Sequence, residues 1–177
     1  QLGKSFAMTE VMDKGQTAYM VNDTADSTVT ESAAAATQMA TGVKVLARSI
    51  GMRPDGKVLK TILEMAKEKG KATGLVTTSR ITDATPAAFA AHIEHRSDEI
   101  RIADQLVKSD VAVLFGGGKD FFVPESEKGK RKDGRNLLNE ARQNRYAVVE
   151  TAEEMKKVQG ERILGLFHQA NMTFEID

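Results

Sequence analysis

Ala72-Thr73-Gly74-Leu75-Val76-Thr77-Thr78 is a short apolar and β-branched run that reads as a buried strand. Upstream, Leu59, Ile62, Leu63 and Ala66 fall on one face of a helical period, and that segment runs through Lys67-Glu68-Lys69 to a stop at Gly70. Downstream, a helix is expected from about Pro86 to His95, with Pro86 suited to a first turn. A second helix, from about Asp98 to Lys108, offers Ile100, Ile102, Ala103, Leu106 and Val107 as its inner side. Val111 to Phe115 is the next strand, closed by Gly116-Gly117-Gly118. Residues 124–135, with Pro124, two glycines and a basic run, read as a loop. Helix, strand, helix and strand then follow at about 135–144, 146–149, 151–158 and 162–167. Strands that are nearly continuously apolar, alternating with helices, predict an α/β fold with a mostly parallel sheet and helices on both faces. The expectation is a single domain over residues 1–177 without internal repeats.

Composition bounds the function. At 177 residues a globular chain buries about 70% of its unfolded surface, enough for a core without staples. Lys plus Arg total 25 and Asp plus Glu total 25, which leaves no general electrostatic footprint for nucleic acid or an anionic membrane. With 0 Cys, thiolate zinc sites, iron–sulfur clusters and cysteine nucleophiles are excluded. No apolar run approaches the roughly 20 residues of a membrane-spanning helix. The start, Gln1-Leu2-Gly3, reads as a processed chain or an excised piece. Around Phe6 to Met12 a short helix or strand is expected, before the turn-rich Asn22 to Ser27.

The chemistry concentrates in Val29-Thr30-Glu31-Ser32-Ala33-Ala34-Ala35-Ala36-Thr37, continuing to Gln38-Met39-Ala40-Thr41-Gly42-Val43-Lys44. Thr30 or Ser32 stands at a helix start, and the alanines are strong helix formers. A serine there sits where free backbone N–H groups and the helix dipole favour negative charge. The same pattern also describes an N-capped, tightly packed core helix, and the segment alone leaves both readings open.

The wider context separates them. The segment resembles the nucleophile motif of the alkaline phosphatase family. Asp83-Ala84-Thr85-Pro86-Ala87-Ala88-Phe89, through His92 to Arg96, is similar to the family's second signature. Val111 to Gly118 with Phe121-Phe122, and Ile163-Leu164-Gly165-Leu166-Phe167 with Asn171-Met172, supply two further matches in the family's order. The resemblance implies a phosphate-monoester hydrolase acting through a phosphoserine at Ser32, with Arg96 as the phosphate clamp. It implies two zinc ions and one magnesium ion. Ser32 would touch zinc, Thr85 would be a magnesium ligand, and Asp83 would hold that ion through bound water. Glu31 stands where the family usually has Asp, and the resemblance implies that this carboxylate orients Arg96. The family's remaining metal ligands lie before Gln1 and after Asp177. The expectation is therefore an N-terminal portion truncated at both ends and inactive alone. The resemblance further implies phosphate monoesters and inorganic phosphate as ligands, a homodimer for the complete enzyme, and a periplasmic or extracellular location.

Other features read plainly. His92 and His95, three apart on an expected helix, are read as exposed or capping side chains rather than a metal pair. Lys128-Gly129-Lys130-Arg131-Lys132, flanked by Glu125, Glu127 and Asp133, is read as a solvated surface loop rather than a nucleic-acid contact. Gly3-Lys4-Ser5 is a weak trace of a phosphate-binding loop. It keeps one alternative in view, a non-catalytic α/β phosphate- or nucleotide-binding module. The 8 Met are scattered and read as core filling.

Overall fold

Four apolar runs become strands in the computed structural model, which describes residues 7–173: β1 (Gly74–Arg80), β2 (Val113–Gly117), β3 (Ala147–Val149) and β4 (Ile163–Leu166). They form a sheet in the order β1-β2-β4-β3, and every neighbouring pair is parallel. Between and around them lie α1 (Ala7–Lys14), α2 (Ser32–Thr41), α3 (Ile62–Glu68), α4 (Ala84–Ala90), α5 (Glu99–Leu106), α6 (Leu137–Gln143) and α7 (Ala152–Lys157). The α/β class expected from the sequence is the one observed. Gly3-Lys4-Ser5 and Phe6 lie outside the described residues.

Register explains where the core sits. Leu75 pairs with Leu114 and Leu114 with Leu164, and Gly116 pairs with Leu166, so these residues share one sheet face. On that face Leu114, Leu164 and Leu166 are buried in one cluster with Ala87 and Ala88 of α4, Ile102 and Leu106 of α5, and Leu137 and Ala141 of α6. The other face carries Val76, Phe115 and Gly165 in register. Val76 is 75% exposed there, and the Phe115 and Phe167 rings meet edge to face at 5.5 Å. A Cβ on Gly165 would come within 2.5 Å of the Phe167 ring and 2.8 Å of the Phe115 ring, so only glycine fits beneath the pair.

Helices α2 and α4 pack against each other, and Ala33 and Ala36 of the one lie in one buried cluster with Ala84, Ala87 and Ala88 of the other. The two N-termini come together there, and with them the residues of the candidate site.

Two expectations are corrected. Helix α4 stops at Ala90 rather than His95, and Ala91 is already extended (φ −133°, ψ 159°). Ile93 instead pairs antiparallel with Ile50, exchanging N–H···O=C bonds of 2.8 and 2.9 Å. The Gln105 side-chain amide holds the His92 backbone N–H and C=O at 2.7 and 2.8 Å. These partners outbid one more helical turn, so His92 and His95 do not share a helical face. The basic run is also not wholly solvated: Arg131 is 1% exposed. Its guanidinium donates to the carbonyls of Ile100 and Phe121 at 3.2 and 3.3 Å and pairs with Asp104 at 3.1 Å and Asp133 at 2.5 Å.

Candidate active site

Helix α2 opens on Ser32, and the residue capping it is Glu31 rather than Thr30. The Glu31 carboxylate accepts from the backbone N–H groups of Ala33 and Ala34, each at 2.9 Å. The donors that the sequence leaves open to a phosphate are therefore partly taken by Glu31 itself. The same carboxylate accepts the Arg48 N–H at 2.8 Å and Arg96 Nη1 at 2.9 Å. Burial pushes the Glu31 carboxyl up, but the N–H groups of Ala33 and Ala34, the Arg96 guanidinium and the Arg48 N–H outweigh it and hold it below the ordinary glutamate range.

Arg96 arrives on the extended segment that the Ile50–Ile93 bridge fixes, and its own N–H donates to the Arg48 carbonyl at 2.9 Å. The Arg48 backbone thus ties the helix cap to the clamp candidate, donating to one and accepting from the other. It does so at φ +64°, in the left-handed region that side-chain-bearing residues uncommonly adopt. Arg96 Nη1 also donates to Ser32 Oγ, and Nη2 donates to Asp83 Oδ1 at 2.8 Å. Three of the five guanidinium N–H donors are committed in this way, leaving two for an incoming oxyanion.

Asp83 caps α4, accepting the Ala84 N–H and the Ser79 hydroxyl, both at 2.8 Å. Burial raises its carboxyl, yet Ser79, Ala84, Arg80 and Arg96 together bring it below the ordinary aspartate range. Thr85 stands exposed in the same first turn. Arg80, at the carboxyl end of β1, is fixed by Glu99 through bonds of 2.8 and 3.0 Å, and the Thr82 hydroxyl donates to Glu99 at 2.6 Å. The hydrogen bonds that Arg80 donates to Glu99 raise the Arg80 guanidinium further against its burial.

Ser32, Glu31, Asp83 and Arg96 are thus brought into one hydrogen-bonded cluster beside an open recess lined by Arg48, Arg80, His95, Ser97 and Glu99 as well as by Glu31, Asp83 and Arg96. The recess lies beyond the carboxyl end of β1, where parallel sheets receive ligands. Sequence reasoning missed Arg48, Arg80 and Glu99. A charged residue closing an apolar strand was a usable signal for Arg80; Arg48 carried none. His92 is elsewhere, its Nδ1 2.9 Å from the Gly51 carbonyl and its Nε2 2.9 Å from Glu64. Among the described residues no group of three or more His, Cys, Asp or Glu is placed to hold a metal ion. Asp83 and Thr85 offer hard oxygens without a third partner, so these residues alone do not make a divalent-cation site.

The site so assembled is a serine at a helix start, held to an arginine between two carboxylates, at the end of a parallel α/β sheet. A sequence profile of the alkaline phosphatase family matches residues 3–177, and the chain belongs to that family. It is 41% identical over 173 residues to alkaline phosphatase 4 of Bacillus subtilis strain 168, covering 93% of this chain and 36% of that protein. The crystal structure of Thermus thermophilus alkaline phosphatase superposes with a TM-score of 0.90 at 36% identity, covering 99% of this chain and 36% of that one. A variant of the TAB5 alkaline phosphatase solved with magnesium bound in its M3 site superposes with a TM-score of 0.77 at 32% identity, covering 86% of this chain and 43% of that one. The chain therefore spans a little over a third of the length of the first two of these relatives.

Proposed function

We propose that this chain is the N-terminal part of a phosphate-monoester hydrolase whose nucleophile is Ser32. The observation that carries the reading is the contact between Arg96 and Ser32 Oγ, with Arg96 itself held between Glu31 and Asp83. Ser32 Oγ attacks phosphorus, the P–O bond to the leaving alcohol breaks, and the alcohol departs with a proton. Water then cleaves the phosphoseryl bond, restoring the serine hydroxyl and releasing inorganic phosphate. Arg96 holds non-bridging oxygens through its remaining N–H donors as charge redistributes. Glu31 orients Arg96 and caps the helix that presents the serine.

In the complete protein we place two zinc ions and one magnesium ion, which would lower the serine pKa and neutralise phosphate charge. Asp83 and Thr85 are the hard donors that this chain would bring towards the magnesium, and Ser32 would meet zinc. The other ligands belong to segments outside these residues, so the isolated chain is proposed to be inactive. The chain is read as one unit of the catalytic domain, in a periplasmic or secreted protein that forms a homodimer. Among the described residues no helix is long and apolar enough to cross a membrane.

The test is acid quenching of the full-length, metal-loaded protein during turnover of a phosphate monoester, followed by peptide mass spectrometry. Phosphate on Ser32, with trapping and turnover both lost in Ser32→Ala, is the expected result. Turnover surviving Ser32→Ala would overturn the proposal. Phosphate binding without any turnover would favour the non-catalytic phosphate-binding module.

A further inference from the structure

Three guanidiniums line the recess beside Ser32, and they are not equivalent. Arg80 is bound by Glu99, and Arg96 is shared between Glu31 and Asp83. All three carboxylates of the recess are thereby partnered. The Arg48 side chain, by contrast, makes no ion pair or hydrogen bond among the described residues and is exposed. Its backbone is held on both sides. The N–H is fixed to Glu31, the carbonyl to the Arg96 N–H, and φ is +64°. An unpaired cation is therefore rooted, through a backbone conformation that non-glycine residues uncommonly adopt, on the two residues that hold the serine and the clamp.

We propose that Arg48 forms an anion subsite at the rim of the recess, which selects phosphate monoesters whose leaving group carries a second negative charge. The proposal rests on the phosphatase reading above, because it takes the scissile phosphate to sit at Ser32 and Arg96. With the scissile phosphate there, the leaving group departs on the side opposite Ser32 Oγ, and among the described residues Arg48 is the guanidinium of the adjoining recess that has no side-chain partner. A guanidinium meets a carboxylate or a second phosphate with two parallel N–H donors, which gives this charge class a geometric as well as a Coulombic advantage. An uncharged leaving group gains neither.

The experiment compares phenyl phosphate with para-carboxyphenyl phosphate in the full-length, metal-loaded protein. The quantity read is the ratio of their kcat/KM values in wild type, Arg48→Gln and Arg48→Lys. An exposed ion pair of this kind predicts that the ratio falls by about two- to fivefold in Arg48→Gln and is largely kept in Arg48→Lys. At roughly 1 M salt the difference between wild type and Arg48→Gln shrinks, because the Debye length drops to about 3 Å. An unchanged ratio in Arg48→Gln at low salt overturns the proposal. If neither ester turns over, the phosphatase reading fails on its own account, and binding still decides the role of Arg48. Calorimetric titration with phenylphosphonate and its para-carboxy analogue should show the same two- to fivefold loss of preference in Arg48→Gln, and equal preference in both proteins would refute the subsite.

Discussion

Glu31→Gln is the sharpest perturbation of the cluster, because the glutamate carboxylate has four donors converging on it. One oxygen accepts from Ala34 and Arg48 at 2.9 and 2.8 Å, the other from Ala33 and Arg96, both at 2.9 Å. Glutamine keeps one accepting oxygen, and in either orientation its NH2 group faces two N–H donors. One such pair includes a helix N–H, whose cap is worth about 1 kcal/mol. The other member is Arg48 N–H or the Arg96 guanidinium, where a bond involving a charged group is worth about 1.5–3 kcal/mol. The side chain is 29% exposed, so water recovers part of the loss. The net expectation is a destabilisation of about 2–3 kcal/mol at pH 7.

Urea unfolding followed by far-ultraviolet circular dichroism measures it directly. The pH dependence adds a sign. The Glu31 carboxyl is held below its ordinary range in the fold, so its contribution is complete above the unfolded value of about 4.3 and is lost as pH falls through the folded value. Wild type and Glu31→Gln should therefore converge in acid. Glu31→Asp keeps the charge and the short reach to the helix but loses a methylene of span to Arg48 and Arg96, so its cost should be smaller. A Glu31→Gln protein within about 0.5 kcal/mol of wild type at pH 7 would show that the four-donor arrangement does not hold the site together.

Three further outcomes are expected. Arg131→Met removes a fully buried cation, leaves Asp104 and Asp133 to Arg135 alone and deprives the Ile100 and Phe121 carbonyls of its N–H groups; a loss of about 3 kcal/mol should appear in thermal melts, and an unchanged midpoint would deny the network any structural role. Gly51→Ala places a Cβ 2.5 Å from both the Ala91 carbonyl oxygen and His92 Nδ1 at φ +60°, so denaturant titration should show a loss of at least about 1 kcal/mol. Ser79→Ala deletes a hydrogen bond to the Asp83 carboxylate, which should titrate closer to the ordinary aspartate range by NMR; the acid-side loss of stability that Asp83 contributes should then be smaller than in wild type and complete at a higher pH.

The strands were legible because each is an apolar run bounded by turn residues, and local chemistry alone distinguishes such a run. What lay beyond the sequence was set at a distance. Ala91 to His95 has nothing helix-breaking in it, and the helix ends because Ile50 and Gln105 compete for its backbone. Arg131 is indistinguishable from its lysine neighbours until Asp104, on another helix, draws it inward. In β1, a run that reads as continuously buried places Val76 on the open face, since burial depends on what covers each side of the sheet. At the site, Ser32 and Arg96 stood out by resemblance to a family, whereas the geometry adds Arg48, whose backbone links Glu31 to Arg96.

The alanine-rich packing between α2 and α4 acts as a gauge block for the candidate site. The serine rides on one helix, and Asp83, which anchors the arginine, on the other. The separation between them therefore depends on the small alanine side chains buried where the helices pack, away from the polar residues of the cluster. A single added methylene at Ala33 or Ala87, both wholly buried, would wedge the helices apart while leaving every polar residue of the cluster chemically intact. Because a misplacement of about 1 Å can cost on the order of a hundredfold in rate, the tolerance of this site to change is narrowest where its side chains are smallest.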